Sequence, residues 1–271
     1  MVSQIQPKVI KLAETKVDVV GVNQLMSEYG KTAETWFSGK ENSWHSSAET
    51  LIEIAGRACY RSFGVGLNPN ISKIRGDSKE YFENVLKKGD GSILEHASVT
   101  FALMWVSRVL THQLVRHRAG TAFSQESLRY SRLKEIQIPT WESWMPEEIA
   151  KRTTDEIMKA LQGVEHYYER IQALIPWGDM SFENKKRATS AIRRILPQGL
   201  ATVIIFTANH RTIRWLIEMR TDPGAELEIR KVFGMIAEIC IRDYPLIYGD
   251  FRRVSLKDGT LQYKPIIRSK V

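Results

Sequence analysis

Seventeen residues from Arg116 to Arg132, RHRAGTAFSQESLRYSR, hold four arginines, one histidine and four Ser or Thr hydroxyls, with one glutamate and no lysine. Each guanidinium stays protonated and offers a planar fork of donors matched to phosphate or carboxylate, so this composition points to a bound anion. The alternative is a solvated basic loop, but such faces are usually lysine-rich and interspersed with acids. Other candidate groups lie elsewhere: Glu95 and His96 ahead of an apolar stretch, Arg193 and Arg194 just before Pro197, Asn209-His210-Arg211 after LATVIIFT, and Arg220 before Asp-Pro-Gly.

The elements that must position these groups follow from periodicity. Residues 7–13 read as a short strand, and Asn23 to Trp44 as an irregular extension. Ser46 and Glu49 form a capping box ahead of a helix from Leu51 to Tyr60, and Asp77 opens a second helix through Leu86 that Gly89 closes. Ala97 to Val106 is rich in β-formers and leads through Ser107 into a helix carrying His112 and Gln113. Gly120, Thr121 and Ser124 then make a loop the expected backbone. Pro146 to Ile175 is one amphipathic helix, and Ser181 to Leu196 another, stopped by Pro197. Leu200 to Thr207 is apolar on both faces and reads as a central strand, so its end holds Asn209 and Arg211 where side chains can face a ligand. Helices from Thr212 to Met219 and from Ala225 to about Arg242 follow, and the tail from Leu246 carries no assignable motif.

The chain of 271 residues is 43% hydrophobic and 26% charged, which suits a globular protein of one domain with appendages. Its formal charge of +8 favours acidic ligands without choosing among nucleic acid, anionic membrane and phosphorylated small molecules. The arginines between Ala191 and Arg220 sit on otherwise apolar elements, which favours discrete anion sites over a nucleic-acid face. No apolar run approaches the roughly 18 residues of a membrane span, and the amino terminus lacks a signal-peptide core. A cytoplasmic protein with no membrane partner is the expectation. Cys59 and Cys240 match no metal motif, so no metal is expected, and both read as inert core thiols in a reducing compartment.

The ordered set Glu95-His96, Gln113-x-x-Arg116-His117-Arg118, Ser127-x-Arg129-Tyr130, Arg193-x-x-Leu196-Pro197, Asn209-x-Arg211 and Arg220 resembles the flavin-dependent thymidylate synthases. That resemblance runs discontinuously from about Ala55 to Arg230. It implies an α+β fold, a mostly antiparallel twisted sheet flanked by helices. It also implies reductive methylation of dUMP to dTMP, with FAD as cofactor, NADPH and 5,10-methylenetetrahydrofolate as co-substrates, and a homotetramer whose active sites are shared between subunits. By resemblance FAD falls to His96, Ser98, Arg116, His117, Arg118, Gln125, Asn209, Arg211 and Trp215. The nucleotide falls to Gln113, Arg116, Gln125, Ser127, Arg129, Arg193 and Arg220, and catalysis to Arg220, Ser127 and His96.

This chain departs from the family pattern in four places. Eight residues rather than seven separate Arg118 from Ser127; Trp215 replaces a small polar residue; Glu226 replaces a glutamine; and Gly224 replaces a histidine found in some relatives. The catalytic domain is expected over 46–245, between an extension at 1–45 and a tail at 246–271. A flavoenzyme acting on another nucleotide and a non-catalytic nucleic-acid-binding protein are the rival readings.

Overall fold

A computed structural model of the chain describes residues 3–38, 46–128, 135–138 and 145–267. Its centre is a four-stranded antiparallel sheet of β2 (Lys8–Glu14), β3 (Ser98–Ser107), β6 (Ala201–Asn209) and β4 (Thr121–Gln125), ordered β2-β3-β6-β4. The apolar run at 200–207 is therefore central, as its composition requires, hydrogen-bonded to β3 on one side and β4 on the other. Helices flank the sheet, which makes the fold α+β. Two short strands, β1 (Ser3–Ile5) and β5 (Glu135–Gln137), pair in parallel beside it.

One face of the sheet is covered by α8 (His210–Arg220) and α9 (Leu227–Asp243), whose Ile213, Leu216, Ile217, Ile229, Val232, Phe233 and Ile236 join Phe101, Leu103, Ile204 and Phe206 in one core. Two helices at the N-terminal side end as their caps dictate. For α3 (Ser47–Tyr60), Ser46 accepts from Glu49 N–H and donates its hydroxyl to the Glu49 carboxylate. Asp77 caps α4 (Ser78–Lys88), and Gly89 closes it at φ +77°.

Four local expectations change. Residues 19–38 form two helices, α1 (Val19–Tyr29) and α2 (Lys31–Ser38), because Val22, Met26, Ala33 and Phe37 bury themselves against Ile54 and Phe63. That tertiary cluster overrides a weak local period. The stretch expected as a loop after Gly120 is strand β4, recruited by the unpaired edge of β6. The expected helix 181–196 ends as α7 (Phe182–Ile192) and tightens into a 3-10 turn at Arg193–Ile195, as helix ends often do. Cys240 is buried, whereas Cys59 lies on the outward face of α3 and is exposed, so only one of the two thiols is in the core.

The segments at either end both reach the centre. β2 is an outer strand of the sheet. After α9 come α10 (Pro245–Tyr248) and a hairpin of β7 (Phe251–Ser255) and β8 (Leu261–Pro265), with Tyr248 and Tyr263 fully buried. The buried Arg214 of α8 grips Asp250 with two bonds of 2.6 Å and donates to the Ile247 carbonyl. The remaining long helix, α6 (Glu147–Ala173), has the length expected but buries only Ala150 among its residues, and α7 buries none.

Candidate active site

The arginine-rich segment lies where β3, α5 (Arg108–Leu114), β4, β6 and α8 converge. Ser107 ends β3 and caps α5, its hydroxyl accepting from Leu110 N–H. Behind it, the buried Glu228 carboxylate takes the Ser107 N–H at 2.7 Å and the Ser107 hydroxyl in a second short bond. The start of α5 is thus anchored to α9, and α5 delivers the chain into Arg116-His117-Arg118.

The segment then crosses the corner between β6 and α8. Asn209 caps α8 through its side-chain oxygen to Thr212 N–H, and its own N–H donates to Gly120 O. Thr212 in turn donates its hydroxyl to Ala119 O at 2.9 Å. Gly120 sits at φ +66°, and a Cβ there would stand 2.3 Å from Asn209 Nδ2 and 2.7 Å from Thr212 Oγ1. Only glycine permits both that backbone conformation and that approach.

His117 and Arg220 meet at this corner. Arg220 Nε donates to His117 Nε2 at 3.1 Å, with Arg220 Nη2 2.5 Å from the same nitrogen. Burial, then the charges of Arg220 and Arg116, pull the imidazole pKa down to about 4, so at neutral pH His117 is an uncharged acceptor. Trp215 stands edge-on to the ring at 5.3 Å. Arg220 itself is held below its ordinary value by burial and then by Arg116, which places Arg116, His117 and Arg220 together.

A neighbouring cavity of about 420 Å³ is lined by Arg108, Thr111 and His112 of α5, Gln125 and Leu128, and Arg193, Arg194 and Leu196 of the 3-10 turn and its flank. Gln125 is fixed there by its bond to the Thr111 hydroxyl. The Arg108 Nη1 is buried and has no hydrogen-bond partner among the described residues, and Arg108 is lowered in pKa by burial and by Arg193. Two guanidiniums pressed together with an unmet donor are costly unless an anion completes them.

The predicted residues fall into three neighbourhoods. Gln125 and Arg193 line the cavity; His117, Trp215, Arg220 and Asn209 surround the Gly120 corner, with the exposed Arg116 and Arg118 beside it. Ser98 pairs in register with Asn209, and the exposed His96 closes the 3-10 turn Gly91–His96 directly before it. Arg211 is drawn to Glu95 at 2.6 Å. Gln113 is half-buried on α5 outside the cavity lining, and Ser127 is half-buried two residues beyond Gln125. Arg129 lies outside the described residues.

Residues 43–246 match the family model described as thymidylate synthase complementing protein. The flavin-dependent thymidylate synthase of Mycobacteroides abscessus is 34% identical over 228 residues, spanning 80% of this chain and 86% of its own. This chain belongs to the flavin-dependent thymidylate synthase family. The Mycolicibacterium gilvum member is 33% identical over 236 residues, spanning 84% of this chain and 91% of its own. In fold, the chain is similar to a UMP/dUMP methylase, PolB, from Streptomyces cacaoi, solved with 5-Br dUMP, at a TM-score of 0.64, 14% identity and coverage of 91% and 95%.

For a member of this family, Arg108 is the residue that sequence reasoning overlooked. Its signal in the chain is faint, a lone arginine at the first position of a helix where a cation opposes the macrodipole. Only the orphaned donor, seen beside Arg193, marks it.

Proposed function

We propose that this chain reductively methylates dUMP to dTMP, with 5,10-methylenetetrahydrofolate as carbon donor and NADPH-reduced FAD as the hydride source. The observation that carries the reading is the cationic charge gathered at both ends of α5: Arg108 and Arg193 in a cavity at one end, Arg116 and Arg220 around the neutral His117 at the other. Two separate anion-seeking sites suit two phosphorylated ligands better than a continuous polynucleotide surface.

The residues present fit a flavin dinucleotide. The bare Gly120 Cα lets Asn209 and Thr212 pack against the segment and hold it in place, and the exposed Arg116 and Arg118 offer forks to a pyrophosphate. FAD would be held by His96, Ser98, Arg116, His117, Arg118, Gln125, Asn209, Arg211 and Trp215, and once reduced it supplies hydride. Gln113, Gln125, Ser127, Arg129 and Arg193 would hold dUMP, joined by Arg108 as a phosphate donor.

Arg220 is the catalytic group. Its Nε and Nη2 are engaged by neutral His117, which orients the fork and leaves the rest of the guanidinium to face a uracil edge. Positive charge held there stabilises negative charge as it develops on the ring. At neutral pH His117 is the uncharged imidazole with Nε2 taken up as acceptor by Arg220, so its role is orientation. Ser127 serves as a ligand-binding hydroxyl. No cysteine attack is needed: the Cys240 thiol is pushed well up by complete burial, and Cys59 lines a different cavity.

The same reading has four copies sharing their sites in the cytoplasm. Tyr167, Leu174 and Phe182 on and between α6 and α7 are exposed apolar groups that favour such contacts. The test is the visible spectrum of the purified protein and its reoxidation after anaerobic reduction by NADPH. Reoxidation that requires dUMP and methylenetetrahydrofolate and yields dTMP is expected; no flavin retained after excess FAD would refute the reading. UMP and dCMP as substrates separate it from a paralogue with another nucleotide.

A further inference from the structure

A second cavity, of about 210 Å³, lies between α3, α4 and the connection 61–77, apart from the arginine segment. Lys73 and Arg75 of the connection and Lys88 of α4 line it against one acid, Asp90. Its floor is the Arg57 guanidinium, buried between the rings of Trp36 and Tyr81 at 5.0 and 4.5 Å. That group is fully engaged: Nε and Nη2 donate to Glu53, Nη1 to Ser62 O, and Nη2 also to Arg75 O at 2.7 Å. Arg57 therefore does not face a ligand. Its bond to the Arg75 carbonyl secures the stretch that presents Lys73 and Arg75 to the cavity.

The charge of Lys73 and Arg75 is poorly matched among the described residues. Lys73 makes no ion pair among the described residues, and Arg75 reaches Glu80 only at 3.6 Å with both side chains substantially exposed. The Tyr81 hydroxyl and Asn84 add neutral polar groups, while Ile71 and Ile74 make an apolar rim. The volume suits one anionic group with its point of attachment rather than a whole cofactor. Ser92 lines the cavity and belongs to the 3-10 turn that ends at His96. At about 2 Å per residue, the two are roughly 8 Å apart.

We propose that this cavity binds the anionic end, a phosphate or carboxylate group, of a co-substrate whose heteroaromatic end reacts beside His96. The inference rests on the flavoenzyme reading above, whose co-substrates both carry such an end: the 2′-phosphate of NADPH and the glutamyl carboxylates of the folate. The three cations that line the cavity attract either group, and Ile71 and Ile74 offer apolar surface to the part of the co-substrate next to it.

The test uses the full-length FAD-loaded protein and calorimetric titration with four probes: adenosine 2′-phosphate against adenosine, and p-aminobenzoylglutamate against p-aminobenzamide. One anionic probe is expected to bind at least about 10-fold tighter than its partner, and K73Q/K88Q to abolish that difference. Whichever probe does so identifies the source. Both lysines are exposed, so the fold and dUMP affinity should be unchanged. A preference for the anionic probe that persists undiminished in the double variant, or no probe binding while dUMP still binds, would overturn the proposal. Failure of the unaltered chain to bind FAD and dUMP would instead sink the enzyme reading, and this proposal with it.

Discussion

Replacing Gly120 by alanine should damage both stability and flavin binding, and the size of the effect can be worked from local geometry. At φ +66° an alanine incurs roughly 1–2 kcal/mol from its Cβ against the following carbonyl. The same Cβ would sit 2.3 Å from Asn209 Nδ2 and 2.7 Å from Thr212 Oγ1, so both side chains must turn away. The neighbours are side-chain ends and can move, which rules out a gross clash but breaks what they hold. Thr212 loses its bond to Ala119 O, worth about 1 kcal/mol, and Asn209 loses part of a helix cap worth about 0.5–2 kcal/mol. The sum is about 2–4 kcal/mol, or a fall of roughly 5–15 °C in melting temperature for a domain of this size. Differential scanning calorimetry measures the fall, and FAD titration should show a weakened site because Asn209 is one of the residues we propose to hold it. A melting temperature within about 2 °C of wild type, with unchanged FAD affinity, would refute the claim that this corner needs a glycine.

Three further outcomes follow from the site and the core. Arg108→Gln should raise the KM for dUMP about 10-fold or more while changing kcat less, since a charged hydrogen bond contributes about 1.5–3 kcal/mol; an unchanged KM would remove Arg108 from the phosphate site. Arg220→Lys should lower kcat by about 100-fold or more, because a point charge cannot both satisfy His117 and face the ring; near-normal turnover would sink that assignment. Burial raises Glu49 and Glu228 to about 7 from 4.5, so the native state holds protons the unfolded chain has released, and stability falls as pH rises through about 7. His117 and His210 are lowered to about 4 from 6.5, so their contribution is lost as pH falls from 6.5 toward 4. Urea denaturation across pH should therefore show stability nearly level between about pH 4.5 and 6.5, where the two contributions oppose one another, and Glu228→Gln should make stability rise with pH across that window; an unchanged profile in that variant would contradict the buried-carboxylate account.

Helix and strand positions near the site were legible where short-range rules act alone. Ser46 and Asp77 cap helices as their spacing predicts, Pro197 stops the chain after Arg193, and the unbroken apolar run at 200–207 could only be a strand covered on both faces. The ordered arginine motifs, together with Asn209 and His96, were enough to point to the family. These are local signals: a cap, a breaker or a motif is read from neighbours in sequence.

What the sequence by itself could not reveal was decided by partners distant in the chain. Residues 121–125 extend as a strand because the free edge of β6 offers hydrogen bonds that an isolated segment lacks. Residues 19–38 become helical because Ile54 and Phe63 give their apolar side chains somewhere to go. The segment after Leu246 is tied to the core through Arg214 and Asp250, two groups that look like ordinary surface charges when read in line. The functional consequences have the same origin. The neutrality of His117 is set by burial and by Arg220, 103 residues away, and the orphaned Arg108 donor is recognisable only beside Arg193. Composition and spacing determined which chemistry this chain could support; desolvation and charge proximity, which exist only once the chain is folded, decided which of its arginines are left wanting an anion.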